Sequence, residues 1–95
     1  MDRKPSFLVH TRKDDVGVAV VDLIKGEEVV GVYMDDGSQI SLVVQDQIPL
    51  GHKIALRNIK KGEKVIEYAE PIGVATQDIN KGGYVHVHNI KSLRW

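Results

Sequence analysis

The chain has 95 residues, with 13 Lys and Arg balanced by 13 Asp and Glu, four His and no Cys. That length holds a single domain, 1–95, with one modest core, and the missing thiols exclude disulfides, thiolate metal sites and cysteine nucleophiles. Zero formal charge provides no whole-molecule attraction to nucleic acid or to an anionic membrane, so neither is expected as a partner.

The opening MDRKPSFLVH has no apolar stretch of signal-peptide length, and no later run approaches ~18 consecutive apolar residues. The chain therefore reads as soluble and unexported, in keeping with a reducing cytoplasm. Next comes His10-Thr11-Arg12-Lys13-Asp14-Asp15. A His and two carboxylates ahead of a strand can supply a ligand or a general base, or can simply form a polar turn.

From Val16 onward alternation dominates. VGVAVVDL, EEVVGVY, ISLVV, HKIALR, EKVIEY and YVHVHNI read as short, β-branched, half-buried strands. KGEE, DDGS, IPLGH, KKGE, EPIG and NKGG read as the turns between them. No window sustains helical periodicity for three turns, so the domain is expected to be all-β and compact, barrel-like or clip-like.

An internal repeat runs through this pattern. Asp22-Leu23-Ile24-Lys25-Gly26, Asn58-Ile59-Lys60-Lys61-Gly62 and Asp78-Ile79-Asn80-Lys81-Gly82 each lead toward a Val, giving the form [DN]-[IL]-x-K-G-x-x-V. The Asp or Asn is expected to bond its own backbone two or three residues on. The Ile or Leu tucks the turn against the core, and Gly supplies the positive φ that ends it. The copies are too short and too unevenly spaced for a solenoid.

Charge is uneven along the chain. Residues 1–47 carry nine acids against five bases, and residues 48–95 carry eight bases against four acids. The basic half is either a set of solvated loop charges or a cationic surface suited to a small anion or an acidic partner. It contains His52, just after the IPLG turn, followed by Lys53 and Arg57, which can bind a carboxylate, Arg through its bidentate fork. A hairpin with a solvated basic edge accounts for the same residues.

Near the end stands VHVHN. On a strand, His86 and His88 share one face and lie roughly 6.5–7 Å apart, close enough for both imidazoles to meet one ion. The same two residues also suit a wet strand face opposite a valine core face. A complete metal site needs further ligands, within this chain from His10, His52 or carboxylates. Phosphate-binding glycine motifs and the nucleophile elbow are absent, and the few aromatics make a poor base-stacking platform.

The segment IPLGHKIALRNIKKGEKVIEY, then EPIGVA, then KGGYVHVHN resembles the small SAF-type domain of the altronate and galactarate dehydratases, a family that includes sulfolactate sulfo-lyase. The likeness runs from about Phe7 to Asn89. The family's opening, a His shortly before D-N-V-A-V-A, appears as His10 and Asp14-Asp15-Val16-Gly17-Val18-Ala19, with Asp15 in the place of the usual Asn. The resemblance implies a β-clip fold, related in shape to antifreeze-type domains. It implies the small, non-autonomous subunit of a sugar-acid dehydratase, a hydro-lyase like altronate dehydratase, acting with a separate large catalytic subunit on a small anionic sugar acid, an α-hydroxy carboxylate.

Divalent iron or manganese is implied as cofactor, at a site shared with that large subunit. His86 and His88 are then metal ligands, His86, His88 and His52 the catalytic histidines, and Lys53, Arg57 and Asn89 the substrate-binding groups. The alternatives within the resemblance are a sulfolactate sulfo-lyase small subunit and a non-catalytic carbohydrate-binding or structural SAF module.

Overall fold

The computed structural model describes residues 4–93, and among them every regular element is a strand. In chain order these are β1 (Phe7–Val9), β2 (Val16–Ala19), β3 (Glu28–Tyr33), β4 (Gln39–Val43), β5 (Lys53–Ala55), β6 (Lys64–Glu67), β7 (Glu70–Ala75), β8 (Tyr84–Val85) and β9 (Ile90–Ser92). Six form one sheet in the order β4-β3-β1-β2-β5-β8, and three form a second in the order β6-β7-β9. Neighbours are antiparallel except for β1 and β3, which run parallel. The all-β, clip-like expectation holds. No helix of the described residues is long and apolar enough to cross a membrane.

Alternation along the short strands fills two apolar clusters. The first gathers Phe7, Val9, Ala19, Leu23, Leu42, Val44, Ile48 and Ile54, with Tyr33 and Tyr84 packed against it. The second gathers Val16, Ala55, Ile59, Val65, Ala75, Ile79 and Val85. Strands β2 and β5 serve both, Ala19 and Ile54 facing one cluster and Val16 and Ala55 the other. Burying each such Val, Leu or Ile side chain contributes about 1.5–3 kcal/mol, so the shared strands bind the two halves into one body.

The repeated turns are the organising device, and there are four of them. Gly26, Gly62 and Gly82 all take positive φ, as the repeat requires, and so does Gly51. The fourth copy, Gln47-Ile48-Pro49-Leu50-Gly51, lacks the Asp/Asn and the Lys, which hid it in the sequence. The turns work in pairs. Leu23 and Ile48 exchange backbone hydrogen bonds at 2.8 and 2.9 Å, and Ile59 and Ile79 do so at 2.8 and 2.7 Å.

In the three copies opened by Asp or Asn, that side chain reaches across to the paired turn and not to its own backbone, contrary to expectation. Asp22 accepts from the Leu50 amide at 2.9 Å, Asp78 from Lys61 at 2.8 Å and Asn58 from Lys81 at 2.8 Å. The facing turn offers amide donors that local geometry leaves unpaired, so the side chain satisfies a neighbour in space.

Three local expectations are corrected. EPIG is not a turn: Glu70 and Pro71 begin β7, and the turn lies one step earlier at Tyr68 and Ala69. These two residues hold φ of 55° and 62° without glycine, because the Asp14 carboxylate accepts both of their amides, at 3.0 and 2.9 Å. Strand β1, and β9 beyond Ile90, lie outside the alternating segments and complete the sheets. Finally, VHVHN is not a strand. β8 stops at Val85, and residues 86–89 form a turn whose His86 carbonyl accepts from the amides of Asn89 and Ile90.

Candidate functional site

The turn after β8 is built by Asn89. Its Oδ1 accepts from the His86 amide at 3.0 Å and its Nδ2 donates to the Tyr84 carbonyl at 2.7 Å, while its backbone carbonyl accepts from Thr76. Asn89 is 5% exposed, and both ends of its amide are engaged by the chain itself. The consequence for the histidines is direct. Val87 stands at the turn's tip, 78% exposed, not on a core face, and the two imidazoles do not share one strand face. His86 lines a cleft of about 530 Å³ with Lys53, Glu67, Ile72, Ile90 and Lys91. His88 lines a different, polar depression beside Lys25, Asp46 and Asp78.

His52 joins them by way of the sheet. It sits at the exit of the Gly51 turn, just before β5, and β5 pairs with β8 so that Ile54 lies opposite Tyr84. The His52 and His86 ring centroids are 5.0 Å apart. Tyr84 is the hub, with ring centroids 5.5 Å from His52, 5.6 Å from a stacked His86 and 5.4 Å from His88. Its hydroxyl meets His52 Nδ1 at 2.5 Å. The His86 imidazole is held below its ordinary pKa, first by loss of hydration and then by the positive charges of His52, His88 and Lys53, so its neutral form is favoured.

In the cleft, Lys53 Nζ lies 3.8 Å from Glu67 Oε1. Glu67 was not singled out in the sequence, where it stands at the end of an ordinary strand. It is 9% exposed, and burial raises its pKa, opposed by Lys53 and reinforced by Asp14.

Arg57 and the acidic pair belong elsewhere. Arg57 Nε donates to Asp15 Oδ1 at 2.8 Å, and its NH1 reaches the Asn58 carbonyl and Glu63. These carboxylates hold the guanidinium pKa above its usual value, Asp15 most of all. Asp15 Oδ2 accepts from the Ile66 amide at 2.8 Å, and Asp14 holds the Tyr68–Ala69 turn. The pair tie β2 to the β6–β7 hairpin, while His10 packs against Tyr68 at 4.4 Å. Among the sequence candidates, then, the structure brings together His52, Lys53, His86 and His88; Arg57 and Asn89 lie in structural hydrogen bonds.

Imidazole nitrogen is a donor type that divalent iron and manganese accept. Among the described residues no group of three or more His, Cys, Asp or Glu is placed to hold a metal. No described side chain hydrogen-bonds a ring nitrogen of His86 or His88, and the favoured neutral form of His86 is the form that ligates.

Comparison with known proteins gives this arrangement relatives. The family model for the altronate/galactarate dehydratase SAF domain matches residues 5–93. The chain is 43% identical over 90 residues to the (2R)-sulfolactate sulfo-lyase subunit alpha of Chromohalobacter salexigens, covering 94% of this chain and 96% of that one. It is 45% identical over 64 residues to the subunit of the same name from Paracoccus pantotrophus, covering 67% of this chain and 96% of that one. With the altronate dehydratase of Bacillus subtilis it shares 40% identity over 87 residues, covering 92% of this chain and 16% of that much longer protein.

Proposed function

The chain belongs to the altronate/galactarate dehydratase SAF domain family, and from that premise we propose that it is the small subunit of a lyase acting, with a large catalytic subunit, on an α-hydroxy carboxylate. The single observation that carries this reading is the open imidazole cluster beside a cationic cleft, on a chain alignable along 96% of a relative named as one subunit of a sulfo-lyase.

In such a reaction the proton α to the carboxylate is removed, the bond from the β-carbon to its leaving group breaks, and the enol formed tautomerises to a 2-keto acid. Lys53 supplies positive charge for the substrate carboxylate, and its pairing with Glu67 keeps the ammonium directed into the cleft. The exposed tip at Val87 supports reading the His turn as the edge that meets the large subunit. His86 and His88 are the residues of this chain that would hold divalent iron or manganese, with the remaining ligands from the large subunit. When bound, that ion supplies Lewis-acid stabilisation of charge developing on substrate oxygens.

The leaving group separates two members of the class. A hydroxyl makes the protein a sugar-acid dehydratase subunit, in line with the altronate dehydratase relative. A sulfonate makes it a sulfo-lyase subunit, in line with the relatives matched along nearly their whole length. The test is to co-express the chain with its cognate large subunit and assay 2-keto acid and sulfite release from altronate, galactarate and (2R)-sulfolactate with iron or manganese. Turnover by the complex and none by either chain alone is expected. His86→Ala with His88→Ala is expected to lower both turnover and bound metal; a double variant unchanged in both would leave the chain a structural subunit only.

A further inference from the structure

One hydroxyl lies within the imidazole cluster, and it decides what His52 can offer. Tyr84 is half-buried, its ring packed against the first apolar cluster and its amide held by Asp46 at 3.0 Å, so the phenol has a fixed position. His52 is fixed as well. Its amide donates to the Pro49 carbonyl at 3.0 Å and its carbonyl accepts from Ala19 at 2.9 Å, at the exit of the Gly51 turn. The only side-chain bond found for either group among the described residues is the one between them, hydroxyl to Nδ1 at 2.5 Å.

We propose that Tyr84 is a positioning residue that donates its hydroxyl proton to His52 Nδ1 and so holds His52 as the Nε2–H tautomer, a hydrogen-bond donor to substrate oxygen and not a metal ligand. A phenol is a good donor and a weak acceptor, whereas neutral imidazole accepts well through its bare nitrogen. Once Nδ1 accepts, the ring's single proton must sit on Nε2, because the bond at one nitrogen sets the state of the other. A nitrogen that carries a proton has no lone pair for an ion. Among the described residues the ring 5.0 Å away, His86, has no such bond on its own nitrogens, so His86 and His88 keep the ligand role and His52 takes a different one. No proton is transferred in this role; Nε2–H stabilises negative charge as it gathers on the substrate. The functional half of this inference rests on the lyase reading, and the tautomer does not.

The experiment is long-range ¹H–¹⁵N correlation of the imidazoles in the ¹⁵N-labelled full chain, at a pH where the rings are neutral. His52 is expected to show a protonated Nε2 and a bare, hydrogen-bonded Nδ1. Tyr84→Phe is expected to shift that Nδ1 resonance while the amide spectrum stays folded. Zn²⁺, used alone as a probe, is expected to leave the His52 Nε2 proton in place. In the complex, Tyr84→Phe should lower kcat about tenfold with KM within about twofold, the signature of a group that acts in the transition state. A proton on Nδ1 in the parent chain, loss of the Nε2 proton on adding Zn²⁺, or an Nδ1 resonance indifferent to Tyr84→Phe would each overturn the proposal. If the tautomer is found but the complex turns over none of the acids, the positioning stands and the lyase reading falls.

Discussion

Asn89 and Arg57, residue types suited to substrate binding, both make hydrogen bonds within the chain. Both amide ends of Asn89 hold the His86–Asn89 turn. Asn89→Ala removes both bonds and leaves the part-buried His86 amide and Tyr84 carbonyl without their partner, so a loss of about 1 kcal/mol is expected, read by chemical denaturation, together with displaced His86 and His88 ring resonances. A substrate-binding Asn89 would instead raise KM and leave stability unmoved. Arg57→Ala likewise uncovers the buried Asp15 carboxylate, with about 1–3 kcal/mol expected in denaturation because part of the guanidinium is already in water.

Glu67 gives a pH signature. Its folded pKa is raised, first by burial, so the folded state binds the proton more tightly than the unfolded chain does. Stability therefore falls as pH rises from the ordinary carboxylate value through the raised folded value. Glu67→Gln is expected to unfold at a higher midpoint than the parent at neutral pH, the gap closing below the ordinary carboxylate range. Lys53, Asp14 and His10 face this carboxylate, and Lys53 opposes the effect. Sequence showed the ionisable groups but not their surroundings. Tyr84 and Glu67 look like ordinary strand residues until the fold places one against His52 and the other against Lys53.

At the scale of the element, the turn glycines separate two costs. A Cβ at Gly26 meets open space, so Gly26→Ala carries only the left-handed backbone penalty, about 1–2 kcal/mol. At Gly82 the same φ is joined by overlap with the Val43 carbonyl oxygen, so Gly82→Ala should cost a further ~1–3 kcal/mol and be distinctly less stable in urea titration. Most strands and all four turns were legible, though only three turns as copies of the repeat, because alternation and the Asp/Asn…Gly spacing are local signals. VHVHN misled for a local reason too: V-H-V-H mimics strand alternation, while the Asn89 bond back to the His86 amide, three residues earlier, overrides it. EPIG misled because Pro and Gly mark turns on average, yet here the turn is made by Asp14, more than fifty residues away in sequence.

For the whole molecule, the two apolar clusters share β2 and β5, so neither half has a core independent of the other. One cooperative transition is expected, with far-UV circular dichroism and methyl NMR signals from both clusters giving the same midpoint. The family and the all-β class were legible across nearly the whole chain, since the order of three motif segments is a global signal. The placement of Arg57 was not, because its distance from the imidazoles is set by the β2–β6 seam through Asp15.

Four copies of one turn at different distances from one site give the molecule an internal reference scale. Gly26 and Gly62 lie in turns that contribute no ring to the imidazole cluster; Gly51 leads directly into His52 and Gly82 almost directly into Tyr84. The same alanine substitution therefore reports backbone strain alone in the first two. At Gly51, where a Cβ also meets open space, it reports strain plus any displacement of His52, and that excess over the first two is a measure of how firmly the sheet holds its working edge; at Gly82 the overlap with the Val43 carbonyl is added to both.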